Sequence, residues 1–181
     1  MSQPFSLSAI GRDRPGIVSA ITELLFRFGC NIEDSAMTIL WGQFAMLLMV
    51  TPCPELEVAQ LEAELQKTAA ELQLHLTLNA IQEEARPARQ EEPLAAYLVS
   101  VYGADHPGIV SQTTGFLAEW GANITDLSTR VIQGKGPVYI MLLEIEAPAR
   151  LAESDLKEKL FGLSQSLKVD ISLRKLETES L

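Results

Sequence analysis

The chain has 181 residues, of which 47% are hydrophobic and 21% charged, enough apolar material for one ordinary domain or two compact ones. Its formal net charge of −10, from 14 Lys plus Arg against 24 Asp plus Glu, leaves no positive footprint for a phosphate backbone, so direct nucleic-acid binding is not expected. No apolar run reaches the roughly 20 residues of a membrane span, and the start lacks the charged flank and apolar stretch of a secretory leader, so no membrane association and a cytoplasmic location are expected.

In chain order, Phe5, Leu7 and Ala9 alternate with Ser6 and Ser8, the period of a strand with one buried face. After a turn at Asp13-Arg14-Pro15-Gly16, the residues Ile17, Val18, Ile21, Leu24, Leu25 and Phe28 recur at helical spacing. Gly29 then stands where a left-handed cap belongs. Segments 31–40 and 43–51, parted by Trp41-Gly42, read as a hairpin. A helix is predicted over 55–72, with Val58, Leu61, Leu65, Ala69 and Leu72 on its core side and three glutamates near its start. Leu74, Leu76 and Leu78 then alternate as a closing strand. The polar, proline-flanked stretch 83–92 reads as a linker. Beyond it the same order returns as a strand at 94–102, a helix at 108–120, a hairpin over 123–147, a helix near 151–165 and a strand at 167–175.

The return is a sequence repeat. Asp13-Arg14-Pro15-Gly16-Ile17-Val18-Ser19 matches Asp105-His106-Pro107-Gly108-Ile109-Val110-Ser111 at an offset of 92, and Gly29, Asn31, Ile32 and Asp34 match Gly121, Asn123, Ile124 and Asp126 at the same offset. The match then drifts to 94, pairing Phe44 with Val138, as though the second hairpin turn held two extra residues. The boundaries are a first module at 1–82, the linker at 83–92, a second module at 93–176 and a tail at 177–181. Twice βαββαβ with right-handed crossovers gives an α+β protein of two ferredoxin-like domains. Phe44–Val50 and Tyr139–Leu143 are apolar at consecutive positions, so part of each sheet is expected to be covered by the other module or a second chain.

The duplicated turn is the place for chemistry. Proline near the first helical turn, glycine beside it and the unpaired amides of the next residues make an anion site that needs no basic side chain. Against that reading, Asp13 and Asp105 are good helix caps for the same amides. Asn31 and Asn123 open the second strand of each module, where an amide suits either a zwitterion or a local turn. Asp34 and Asp126 can face an amine or simply water. Cys30 and Cys53 have neither metal nor disulfide-scaffold spacing and read as reduced structural thiols. No zinc spacing, Gly-x-Gly-x-x-Gly or Walker A pattern occurs, so neither a cofactor nor a metal is expected.

The turn sequence Asp-Arg-Pro-Gly-Ile-Val followed by Gly-Cys-Asn-Ile-Glu-Asp at 29–34, present in related form twice, resembles the ACT domain family of amino-acid-sensing modules. The resemblance implies a non-catalytic regulatory protein responsive to a small amino acid, with glycine the first candidate. It places the ligand at Asp13, Arg14, Pro15, Gly16, Ile17 and Asn31, and at Asp105, His106, Pro107, Gly108, Ile109 and Asn123, often between two modules. It further implies a homodimer that acts by contact with a separate transcriptional regulator, an activator of glycine cleavage genes. The turn is also similar to that of formyltetrahydrofolate deformylases, whose chemistry needs a further catalytic domain for which 181 residues leave no room. His106 in place of Arg14 removes a guanidinium, so the two sites need not be equivalent. The competing reading is a constitutive interaction module with no effector.

Overall fold

The computed structural model describes residues 3–81, 93–133 and 136–176, so the expected linker at 83–92 and tail at 177–181 lie outside the described residues. The chain divides into two compact units. The first runs β1 (Phe5–Arg12), α1 (Ile17–Arg27), β2 (Asn31–Leu40), β3 (Gln43–Thr51), α2 (Val58–Leu72) and β4 (Leu74–Ala80). The second repeats the order as β5 (Leu94–Ala104), α3 (Ile109–Glu119), β6 (Asn123–Ile132), β7 (Val138–Pro148), α4 (Glu153–Leu167) and β8 (Val169–Lys175). Each unit holds a four-stranded antiparallel sheet, ordered β2-β3-β1-β4 and β6-β7-β5-β8. The ferredoxin-like α+β fold is therefore present twice.

Strand alternation sets the core. Phe5, Leu7 and Ala9 of β1 are buried and lie opposite buried Val50, Leu48 and Met46 of β3. Onto that face α1 lowers Ile17, Ile21, Leu24 and Leu25, and α2 lowers Leu61, Leu65 and Ala69. In the second unit Tyr97, Val99 and Val101 meet Ile145, Leu143 and Met141, with Leu117, Leu156 and Leu160 from the helices. Burying a side chain of this size contributes about 1.5–3 kcal/mol. Val18 and Val110, which fit the helical spacing, are instead 39% exposed, because one residue past Ile17 or Ile109 turns a helix by about 100°.

Two details differ from the sequence reading. Helix α2 begins at Val58 rather than at 55, and no acidic residue lies in its first turn. The backbone of Leu56 bonds to Cys53 O at 3.2 Å, closing a turn in which Pro54 sits. The repeat offset in the hairpin also shifts by three rather than two. Gly11 pairs with Phe44 and Gly103 with Tyr139, so Phe44, Met46 and Leu48 correspond to Tyr139, Met141 and Leu143, all buried. An offset of 94 would match inward to outward side chains, since a one-residue slip exchanges the faces of a strand.

The outward positions of the same strands account for the continuous apolar runs. Leu47 is 41% and Leu142 40% exposed on the helix-free faces. Strands β2 and β6 are sheet edges with nearly all residues exposed. At the β2–β3 turn, Trp41 is fully exposed, and both Trp41 and Gly42 have positive φ, as a two-residue primed turn requires.

Candidate ligand-binding site

The turn between β1 and α1 is built by its glycine. Gly16 has φ 93° and ψ −10°, and Gly108 has φ 101° and ψ −15°, values that fit the second central position of a type II turn with proline at the first. Pro15 and Pro107 therefore precede the N-cap instead of occupying the first helical turn. With the glycine as N-cap, its carbonyl receives Ala20 N at 2.9 Å in one module and Gln112 N at 3.0 Å in the other. The amides of residues 17–19 and 109–111 donate to no acceptor among the described residues.

Neither aspartate caps its helix: no side-chain cap bond is present on α1 or α3. The Asp13 amide instead donates to Gly42 O at 2.8 Å, tying the turn to the β2–β3 hairpin, and Asp13 is exposed. Asp105 is likewise exposed. Each Pro-Gly turn thus carries an exposed aspartate and leads into a first helix without a side-chain cap. Ile17 and Ile109, expected at the site, are anchors: they are 1% and 2% exposed and pack in the cores.

Arg14 and His106 carry out one task with different chemistry. Arg14 Nη2 donates to Glu71 O at 3.0 Å, and His106 Nε2 meets Leu167 O at 2.8 Å. Both acceptors belong to the last turn of the module's second helix, where carbonyls lack intrahelical partners and the dipole is negative. Each side chain ties its turn to that helix end instead of reaching for a ligand. His106 Nδ1 also lies 3.0 Å from Pro107 O. A neutral imidazole has one N–H, so the two contacts are both hydrogen bonds only in the imidazolium. The carbonyls of Pro107 and then Leu167 accordingly hold its pKa above the ordinary value.

Asn31 is not brought to the turn. It lies beyond the far end of α1, whose 11 residues span about 16 Å, and it pairs with Thr51 at the opposite end of the sheet from Gly42. Its Nδ2 donates to Glu33 Oε1 at 2.8 Å, where the β2–β3 register shifts between Ile32 and Asp34. The matching shift falls between Ile124 and Asp126, with Thr125 in place of Glu33, so Asn123 has no equivalent bond. Asp34 accepts Ser35 N at 2.7 Å. Sequence reasoning missed Glu33, whose only signal was one acidic residue two places after the asparagine.

It also missed an open cleft of about 320 Å³ at the end of α4, lined by Tyr102, Gly103, Ser164, Gln165, Lys168, Val169 and Asp170. Nearby, Tyr139 is 8% exposed, and its hydroxyl has no partner among the described residues. Burial and then the Asp105 charge push that phenol upward. No group of three or more metal-ligating side chains occurs among the described residues.

The βαββαβ unit with a glycine-built turn at the head of its first helix occurs twice, and the chain belongs to the ACT domain family, whose model matches residues 3–79 and 96–174. Among individual proteins, it is 31% identical over 124 residues to the glycine cleavage system transcriptional repressor of Escherichia coli, a match that spans 68% of this chain and 63% of that protein. It is 42% identical over 67 residues to the protein MK1213 of Methanopyrus kandleri, covering 36% of this chain and 74% of the relative. A crystal structure of a protein of unknown function from Galdieria sulphuraria superposes with a TM-score of 0.82 at 25% identity, over 98% of this chain and 100% of its own.

Proposed function

We propose that this protein is a non-catalytic, amino-acid-responsive regulator of the glycine-cleavage-repressor type, acting by contact with a separate transcriptional regulator. The observation that carries the reading is the pair of uncapped first helices, α1 and α3, each opening at a Pro-Gly turn with an exposed aspartate beside it. A small amino acid places its carboxylate on the amides of residues 17–19 or 109–111, where the helix dipole favours an anion. Its ammonium group meets Asp13 or Asp105. Glycine fits because no side chain has to be accommodated against the turn. Arg14 and His106 act indirectly by holding the turn in place, and Asn31 and Asn123 lie too far along their own modules to share that ligand.

A net charge of −10 supports action through a protein partner over action on DNA. Ligand binding changes partner affinity only to the extent that the partner-competent arrangement binds the amino acid better. Isothermal titration calorimetry of the full chain with each of the twenty amino acids tests the site. Saturable binding of glycine or another small amino acid is expected, weakened at least tenfold by Asp13→Asn combined with Asp105→Asn. The absence of binding by every amino acid would refute the sensing reading. The exposed edge strands β2 and β6 favour a second reading, a constitutive homodimer or interaction module. Under it, sedimentation shows self-association that no amino acid alters.

A further inference from the structure

Two thiols of the first module converge on one oxygen atom. Cys53 Sγ lies 3.6 Å from Phe28 O, and Cys30 Sγ lies 3.9 Å from the same atom. The neighbours in sequence explain the meeting. Asn31 and Thr51 form the last rung of the β2–β3 ladder, and the cysteines continue the two strands just beyond it. Gly29 leaves room for the Cys53 side chain, because a Cβ there would stand 3.3 Å from Cys53 Sγ. Both side chains are half-buried, so a small reagent can reach them. Burial, together with the neighbouring Cys53, pushes the Cys30 thiol up, which agrees with two sulfurs sharing one small space.

The fold itself does not ask for thiols here. In the second module Asn123 pairs with Glu146, which makes Ala122 and Pro148 the counterparts of Cys30 and Cys53. Pro148 is also the residue that faces Gly121, with its Cγ at 3.9 Å from an added Cβ. An alanine and a proline satisfy the same corner, so packing does not account for a pair of sulfurs in the first module.

We propose that Cys30 and Cys53 are a dithiol modification site that closes to a reversible intramolecular disulfide in exchange with a low-molecular-weight disulfide such as oxidised glutathione. One thiolate attacks a glutathione sulfur, breaking that S–S bond, forming a mixed disulfide and releasing one glutathione thiolate. The second cysteine, deprotonated, attacks the protein sulfur of the mixed disulfide and expels the second glutathione. The two protein thiols lose two electrons and two protons, and one glutathione disulfide becomes two glutathiones. The bridge joins the end of α1 to the end of β3, one residue before Asn31. The inference is independent of amino-acid binding.

The test uses the full chain with oxidised glutathione, followed by alkylation, intact mass and peptide mapping. The wild type is expected to lose both alkylation sites, to yield a Cys30–Cys53 linked peptide, and to remain one chain on a non-reducing gel at a rate independent of protein concentration. Cys30→Ala, which copies the second module, and Cys53→Ser should each retain a glutathione adduct on the remaining cysteine. Full alkylation of the oxidant-treated wild type, two stable glutathione adducts per chain, or a disulfide only between chains would each overturn the proposal, and the wild-type result decides even where a variant folds poorly.

Discussion

Replacing Gly16 or Gly108 by alanine probes the turn on which the ligand reading depends. Their φ values of 93° and 101° lie in the left-handed region, which costs an L-residue about 1–2 kcal/mol. Removing a glycine also lowers unfolded-chain entropy and returns about 0.4–1 kcal/mol, so the net loss is about 1 kcal/mol in the module concerned. Space adds little to this cost. A Cβ at Gly16 meets no atom within 4 Å, and at Gly108 it meets Gln112 Nε2 at 2.9 Å, the movable end of a side chain. A loss of that size lowers the melting temperature of a module this small by about 4–8 °C. Gly115→Ala is the control: that glycine lies within α3, has no positive φ, and has nothing within 4 Å of an added Cβ. It should raise stability by up to about 1 kcal/mol. Asparagine, which tolerates left-handed φ, should cost less than alanine at residue 16. Urea unfolding with unchanged slope measures all four variants. Stability of Gly16→Ala equal to wild type, with asparagine no better than alanine, would refute the assigned turn.

Gln73 and Lys168 end their helices at φ 53° and 54°, so Gln73→Gly and Lys168→Gly should each stabilise by about 0.5–1 kcal/mol in urea unfolding, reversing the sign seen at Gly16. Tyr139→Phe removes a buried hydroxyl without a partner among the described residues and reproduces Phe44 of the first module; it is expected to be neutral or to stabilise by about 1 kcal/mol. His106 is held above its ordinary 6.5 by the Pro107 and Leu167 carbonyls. Its contribution is therefore complete below that value and fades as pH rises through the higher folded value. Ring NMR should give a midpoint above 6.5, and His106→Arg, always charged, should remove the part of the second module's pH-dependent stability that follows that midpoint while keeping the tether.

The architecture was legible because its signals are periodic and occur twice. Phe5, Leu7 and Ala9 alternate, Ile17, Ile21, Leu24 and Leu25 recur at helical spacing, and all seven are buried. The start of α2 was less legible, since a local turn from Cys53 to Leu56 displaces a helix start that composition alone places earlier. The turn chemistry was visible in Pro15-Gly16, but whether aspartate caps the helix depends on a backbone angle that no residue type prints. The partners of Arg14 and His106 were hidden for a different reason: Glu71 and Leu167 lie 57 and 61 residues away, and the contacts are to carbonyls, which every residue has. The separation of Asn31 from the turn follows from helix length and was available from the sequence, because a helix between two motifs puts them at its opposite ends.

The two copies differ where their chemistry can be tuned and agree where the backbone is constrained. Pro-Gly at the turn and glycine after the first helix recur with nearly equal angles, φ 93° against 101° and 66° against 69°, because few residues can hold those conformations. The tether to the second helix has kept its acceptor, a last-turn carbonyl, while exchanging a permanent cation for a titratable one. Swapping these two residues separates the roles: if Arg14 and His106 only hold the turn, then Arg14→His should confer on the first module the same loss of stability with rising pH predicted for the second, while amino-acid affinity at low pH stays within about threefold, less than 1 kcal/mol. A tenfold or greater loss of affinity at low pH, with unfolding unchanged, would instead place the Arg14 guanidinium on the ligand.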